Sequence, residues 1–267
     1  MTNIDLSAAR RALDELKLWD LNVVSVDGVK SLLTPALAGL RIEAPRFKAG
    51  LRLFRSRTTP RPKTRNDLWH PPFGVTKLGR VNREKDVVFY STAMRDSAVF
   101  EIQPSVGDTI GLGIWETTSE LRVAHFGYIP AVFAKLGAVR PAPSWARHPA
   151  TPEADPANLE LAELIETTLT RHVPAGQEYL YKVSVAVAEV FLDEPTIDAI
   201  AYPTLQMFGN TDNVAIKPHV AERVLRFAGA EFLRVEGLLQ PGYRMALLDR
   251  ADELAPDGNI RWQSGTV

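Results

Sequence analysis

Apolar positions along the chain follow two rhythms, one of three to four residues and one of two. Leu6, Ala9, Leu13 and Leu16 recur at helical spacing, with Asp5 or Ser7 placed to cap, so a short N-terminal helix is expected. Residues 52–57 (RLFRSR) are expected to be extended. Leu51, Leu53, Arg55 and Arg57 would then share one face, which runs from an apolar base to a cationic tip. Residues 86–91 (DVVFYS) predict a buried strand. Thr92 or Asp96 then starts a helix that carries Ala98, Val99 and Glu101. Two more strands are predicted over 109–116 and 120–126. Helical patterns occupy 159–171 and 179–192, joined by a turn through Pro174 and Gly176. A strand over 197–202 ends at Pro203, and 218–227 predicts a helix with proline in its first turn. Alternation near 231–236 and 243–248 predicts closing strands. Helices and strands mix without a regular βαβ repeat. The expected fold is therefore α+β, a mixed sheet with flanking helices rather than a doubly wound one.

Proline marks the breaks. Residues 44–50 read as a linker, where Pro45 discourages helix. Residues 58–73 hold four prolines among several basic side chains and predict a loop. Residues 141–156 hold five prolines and predict an irregular surface excursion. The expected organisation is a helical extension over 1–48, a main domain over 49–250 and a C-terminal tail over 251–267. The main domain carries a Pro-rich and helical insertion near 138–178.

Composition narrows the function classes. The 267 residues are 45% hydrophobic and 24% charged, ordinary for a globular chain. Cysteine is absent, which excludes disulfides and Cys-ligated metal. The formal net charge of −1 gives no global field for nucleic acid. No apolar run approaches the roughly 20 residues of a membrane span, and residues 1–12 lack the apolar core of a signal peptide. The expectation is a cytoplasmic protein that acts on neither nucleic acid nor membrane.

Several motifs fail on inspection. Residues 74–80 (GVTKLGR) approach a phosphate-binding loop, but Arg80 and Val81 stand where Lys and a hydroxyl residue are required. Gly111 and Gly113 form a lone G-x-G inside a strand pattern, better read as close backbone packing. The histidines at 70, 125, 148, 172 and 219 are scattered, so no metal site is expected. No G-x-S-x-G elbow is present.

Four other segments act together. They are residues 53–57 (LFRSR), 79–82 (GRVN), Phe89-Tyr90-Ser91 followed by Ala98 and Glu101, and residues 200–204 (IAYPT) followed by 209–218 (GNTDNVAIKP). In order and in the spacing of Arg80, Tyr90 and Glu101 they resemble the RES-domain family, over residues 51–235. Thr204 stands where that family has a serine, and the methyl it adds stiffens χ1. The resemblance implies a fold similar to ADP-ribosyltransferase toxins. It implies cleavage of NAD between nicotinamide and ribose, with water or phosphate as acceptor and NAD as substrate rather than cofactor. It also implies a toxin held by an antitoxin with a helix-turn-helix domain. Transfer of ADP-ribose to a macromolecule is a second reading. A degenerate member that binds a nucleotide or partner without turnover is a third.

The chemistry suits these residue types. Arg55 or Arg57, with Arg80, could clamp a pyrophosphate, because guanidinium matches phosphate oxygens and stays charged. Glu101 could stabilise the cationic ribose as neutral nicotinamide departs. Tyr90 could stack on the nicotinamide ring. Thr204 could supply a hydroxyl, and Asn213 could assist near the ligand. Each has a plainer reading: solvated arginine, exposed helix glutamate, core aromatic, turn hydroxyl, turn asparagine. The resemblance implies that all of them converge on one pocket.

Overall fold

The computed structural model describes residues 5–40, 42, 44–141, 161, 165–239 and 242–264. They form two compact units. One comprises Met1–Arg46, Pro71–Val88 and Arg122–Asn210, the other Phe47–His70, Phe89–Leu121 and Thr211–Val267.

The first unit is mainly helical. Helices α1 (Leu6–Leu18) and α2 (Val26–Ala36) open it. Each starts on a side-chain cap: Asp5 accepts from the Ala8 amide at 2.8 Å and Ser25 from the Gly28 amide at 3.1 Å. Ala9, Ala12 and Leu16 of α1 and Val29, Leu33 and Ala36 of α2 are buried. Helix α4 (Pro130–Leu136) starts on Pro130, whose missing N–H costs nothing there. Helix α5 (Tyr181–Leu192) packs against α2. Charges join them: Lys30 reaches Glu189 at 3.1 Å and Asp193 at 2.6 Å, and Arg83 reaches Asp27 at 2.5 Å. The Lys182 ammonium also donates to the carbonyls of Leu21, Asn22 and Val24. The helices of the expected 1–48 extension share a unit with residues far along the chain. The apolar stripe of α2 needs a partner, and α5, far away in sequence, provides it.

Strands β5 (Leu121–His125) and β6 (Ala199–Pro203) pair in parallel through Val123↔Ala199, Ala124↔Ile200 and His125↔Ala201. Every residue of β6 is buried, as suits a parallel strand covered on both faces. Within the expected insertion, residues 165–169 are helical, with Ile165 and Leu169 buried. The expected proline-rich excursion over 141–156 lies outside the described residues except for Pro141.

The second unit is an antiparallel sheet. Its order is β7 (Asp212–Ile216), β3 (Phe89–Thr92), β2 (Arg52–Thr58), β4 (Thr109–Thr117), β8 (Leu225–Leu239), β9 (Gly242–Ala251) and β10 (Gln263–Ser264). Helix α3 (Arg95–Ile102) lies on one face, where Ala98 and Val99 pack with Ile110, Leu112, Leu233 and Val235. The other face of β4 carries Gly111 and Gly113. A Cβ on Gly111 would lie 2.6 Å from Pro62 and 2.8 Å from Leu68. The lone G-x-G thus serves close packing of the 59–70 loop, as the sequence predicts. Helix α6 (Pro218–Val224) runs directly into β8, so the helix expected over 218–227 ends earlier.

The expected C-terminal tail also folds back. The Ile260 amide donates to Lys63, the Trp262 indole donates to Pro62 at 2.8 Å, and β10 pairs with β9. Ile260 is buried, so the segment has apolar surface to hide. With parallel pairing in one unit, antiparallel pairing in the other and helices flanking both, the protein is α+β, as expected.

Candidate functional site

Strand register decides which candidate side chains share a face. Tyr90 pairs with Ala215 and Thr92 with Asn213 across β3 and β7, while Thr92 pairs with Phe54 across β3 and β2. Opposed residues in an antiparallel pair point the same way. Tyr90, Thr92, Asn213 and Phe54 therefore share the face covered by α3. On that face Ser56 donates its hydroxyl to the Ala98 carbonyl.

Glu101 comes to this face from α3. It sits in the helix's last turn, one residue before Ile102, and Gln103 closes the helix in a left-handed conformation with φ 45°. A carboxylate near a helix C-terminus meets the negative end of the dipole, so the helix gains nothing from it. Its compensation is tertiary: the Asn213 side-chain amide donates to Glu101 Oε1 at 3.0 Å. Glu101 is half-buried and Asn213 is 6% exposed. Glu101, Asn213 and Tyr90 are thus brought to one face, and the first two are in contact.

Arg55 and Arg57 go the other way. They lie opposite Gly113 and Gly111 on β4, on the face that carries the 59–70 loop. The glycines leave room there for Leu68 and Pro62. Arg55 donates from Nε to the Trp69 carbonyl at 3.3 Å and from Nη1 to the Tyr90 carbonyl at 3.1 Å. Burial pulls its pKa down to about 10, and repulsion from Arg57 adds to the effect. Arg57 is exposed and donates to the Asp67 carbonyl at 3.2 Å. The strand arginines therefore do not share a wall with Glu101 and Tyr90. The cause is the two-residue period of the strand: odd and even positions of β2 face opposite sides.

Arg80 and Thr204 belong to the first unit. Arg80 Nη1 donates to the carbonyls of Leu169 at 2.7 Å and Arg171 at 2.9 Å. Its guanidinium lies 5.3 Å from the Tyr181 ring centre and 5.9 Å from that of Tyr202. Asn82 holds the same loop by donating to the carbonyls of Lys77 and Arg83. The G-R-V-N segment is thus a stapled loop whose arginine gathers the carbonyls that end the 165–169 helix. Thr204 is 0% exposed, and its hydroxyl accepts from the Met207 amide at 3.0 Å. That is the turn-stabilising reading of Thr204.

The chain matches no family model and no curated protein. Among the described residues no group of three or more His, Asp or Glu could hold a metal ion. No helix among them is long and apolar enough to cross a membrane.

Sequence reasoning missed a depression of about 360 Å³ between α3 and the β8–β9 hairpin, lined by Arg95, Phe100, Leu233, Tyr243, Met245 and Leu247 among others. Glu101 is not in its lining. The alternation of 243, 245 and 247 was the available signal, but it reads equally well as a closing strand. The Glu101–Asn213 contact was also missed, because no local pattern links two positions so far apart.

Proposed function

We propose that the protein binds NAD and breaks the bond between nicotinamide and ribose, with Glu101 as the catalytic carboxylate. The observation that carries this reading is the placement of Glu101. It is a half-buried carboxylate in a helix position that does not favour it, held by the Asn213 amide on the face that presents Tyr90. A fixed negative group of this kind suits a reaction whose transition state turns cationic. Nicotinamide leaves a pyridinium as a neutral molecule, so the ribose carbon gains positive charge as the bond stretches. A preorganised carboxylate stabilises that charge and accepts hydrogen bonds from the ribose hydroxyls. Tyr90 supplies a flat apolar surface for the departing ring.

The resemblance of the four sequence segments supports the same reading. Arg55 and Arg57 lie on the opposite face of β2 from Glu101, so a pyrophosphate clamp by them is not part of this reading. Arg55 is committed to two carbonyls. The acceptor is water or phosphate, and the same site chemistry would serve transfer to a macromolecule. The test is purified protein with NAD, with and without inorganic phosphate, and products identified by mass. Free nicotinamide without an added target supports the reading, and phosphate dependence separates phosphorolysis from hydrolysis. NAD recovered intact at high protein concentration overturns it.

A further inference from the structure

Asn213 is an unusual side chain for its position. Its neighbours Val214, Ala215 and Ile216 are all buried, and a strand site of this kind favours branched apolar residues. Asn213 itself is 6% exposed, yet its amide makes one hydrogen bond, from Nδ2 to Glu101 Oε1 at 3.0 Å. Among the described residues no donor reaches its buried Oδ1. Burying an amide oxygen without a donor lowers stability, and an apolar residue of similar shape would avoid the loss. Turning the amide over would set its oxygen against the Glu101 carboxylate, so only one orientation works. The side chain therefore satisfies Glu101 at the expense of its own second polar atom.

We infer that Asn213 is a positioning residue dedicated to Glu101: its amide fixes the plane and rotamer of that carboxylate, and the fold accepts lower stability in return. Asn213, expected near the ligand, would then act through Glu101, since its own side chain is buried. What the positioned carboxylate acts on, the ribose of NAD, rests on the function proposed above. The positioning does not.

The experiment uses the full chain and Asn213→Leu, which keeps the shape and removes the donor. Three quantities are read: melting temperature, kcat and KM for NAD, and the side-chain carboxyl carbon resonance of Glu101 without ligand. That resonance is assigned by its loss in Glu101→Gln. The expected result is a melting temperature equal to or above the parent's, a displaced Glu101 resonance, kcat down about tenfold or more, and KM little changed. Should leucine prevent folding, Asn213→Ala is read in the same way. A Glu101 resonance that stays in place, or a kcat equal to the parent's in a protein that cleaves NAD, overturns the inference. If the parent cleaves no NAD, the proposed reaction fails, while the resonance still decides the positioning.

Discussion

Arg83 and Glu189 meet in a two-bond fork along one edge of the guanidinium, Nε to Oε1 at 2.5 Å and Nη2 to Oε2 at 2.8 Å. The same Nη2 reaches Asp27 on α2 at 2.5 Å. One arginine therefore ties the 71–88 segment to both α2 and α5. Lysine cannot reproduce this fork, because it presents one compact charge. Arg83→Lys is expected to lower stability by about 1 kcal/mol, or about 2–4 °C in melting temperature for a chain of this size. A thermal melt reads it. Equal melting of the two proteins would make the fork ornamental.

Glu101→Gln should abolish most NAD cleavage while leaving folding intact. Glutamine keeps the size but loses the negative charge that matters as the ribose becomes cationic. An interaction that strengthens toward the transition state lowers kcat more than binding, here by roughly a hundredfold or more. Steady-state kinetics beside a melt test it. Turnover at the parent rate would leave Glu101 an ordinary helix residue.

Arg55 and Arg57 of β2 should separate in their effects. Arg55→Ala removes donors from the Trp69 and Tyr90 carbonyls, so it is expected to cost roughly 1–3 kcal/mol of stability. Arg57→Ala should melt within about 0.5 kcal/mol of the parent, as exposed substitutions commonly do, and should leave KM for NAD little changed, because Arg57 faces away from Glu101. Equal melting of the two variants would mean that the carbonyl contacts of Arg55 add nothing to stability.

Asp67 offers a pH test. Its carboxylate accepts from the Thr64 amide at 2.9 Å and the Lys63 amide at 2.8 Å. The Thr64 amide does most to hold its pKa below the ordinary carboxylate value, against a smaller opposing effect of burial. A folded-state pKa below the unfolded one means stability that is present at neutral pH. It fades as the pH falls through the lowered value. Asp67→Asn should therefore cost roughly 0.5–1 kcal/mol at pH 7, and the gap should close as the pH drops below about 4. Urea midpoints at several pH values measure it. A gap that persists in acid would mean the carboxylate's charge is not what stabilises the turn.

Gly111→Ala would place a methyl within 2.9 Å of Pro62, Leu68 and Thr59 at once. The expected cost is roughly 1–3 kcal/mol from overpacking, read as a lower melting temperature. An unchanged melt would show that the 59–70 loop yields freely.

The legible parts of the fold were those with unbroken local rhythm. β2, β4 and α1 could be placed from spacing alone, because their apolar positions repeat without interruption. α2 was not predicted, although Val26, Val29 and Leu33 keep helical spacing behind the Ser25 cap. Gly28 and Pro35 disguise it: both disfavour helix, and Pro35, with no N–H to give, stands one residue before the helix ends. β7 was not predicted: it lies within the 209–218 motif, where Asn213 reads as a turn residue until the strand beside it is known. The candidate site was legible in its residue types but not in its geometry. Strand alternation could have set Arg55 and Arg57 apart from Tyr90 only with the register of β2 on β3. The carbonyls that hold Arg80 and Arg55 belong to residues with no chemical signature, so no side-chain pattern announces them.

The interleaving of the two units has a consequence during synthesis. Helices α1 and α2 leave the ribosome early, but α5, against which α2 packs, spans Tyr181–Leu192. β2 likewise emerges long before β8, which shares β4 with it. Chain growth at about 5–20 residues per second leaves these apolar faces uncovered for many seconds. The first unit has all its residues once Asn210 has emerged, whereas the second must wait for its C-terminal strands, so the apolar face of β4 is among the last to be covered.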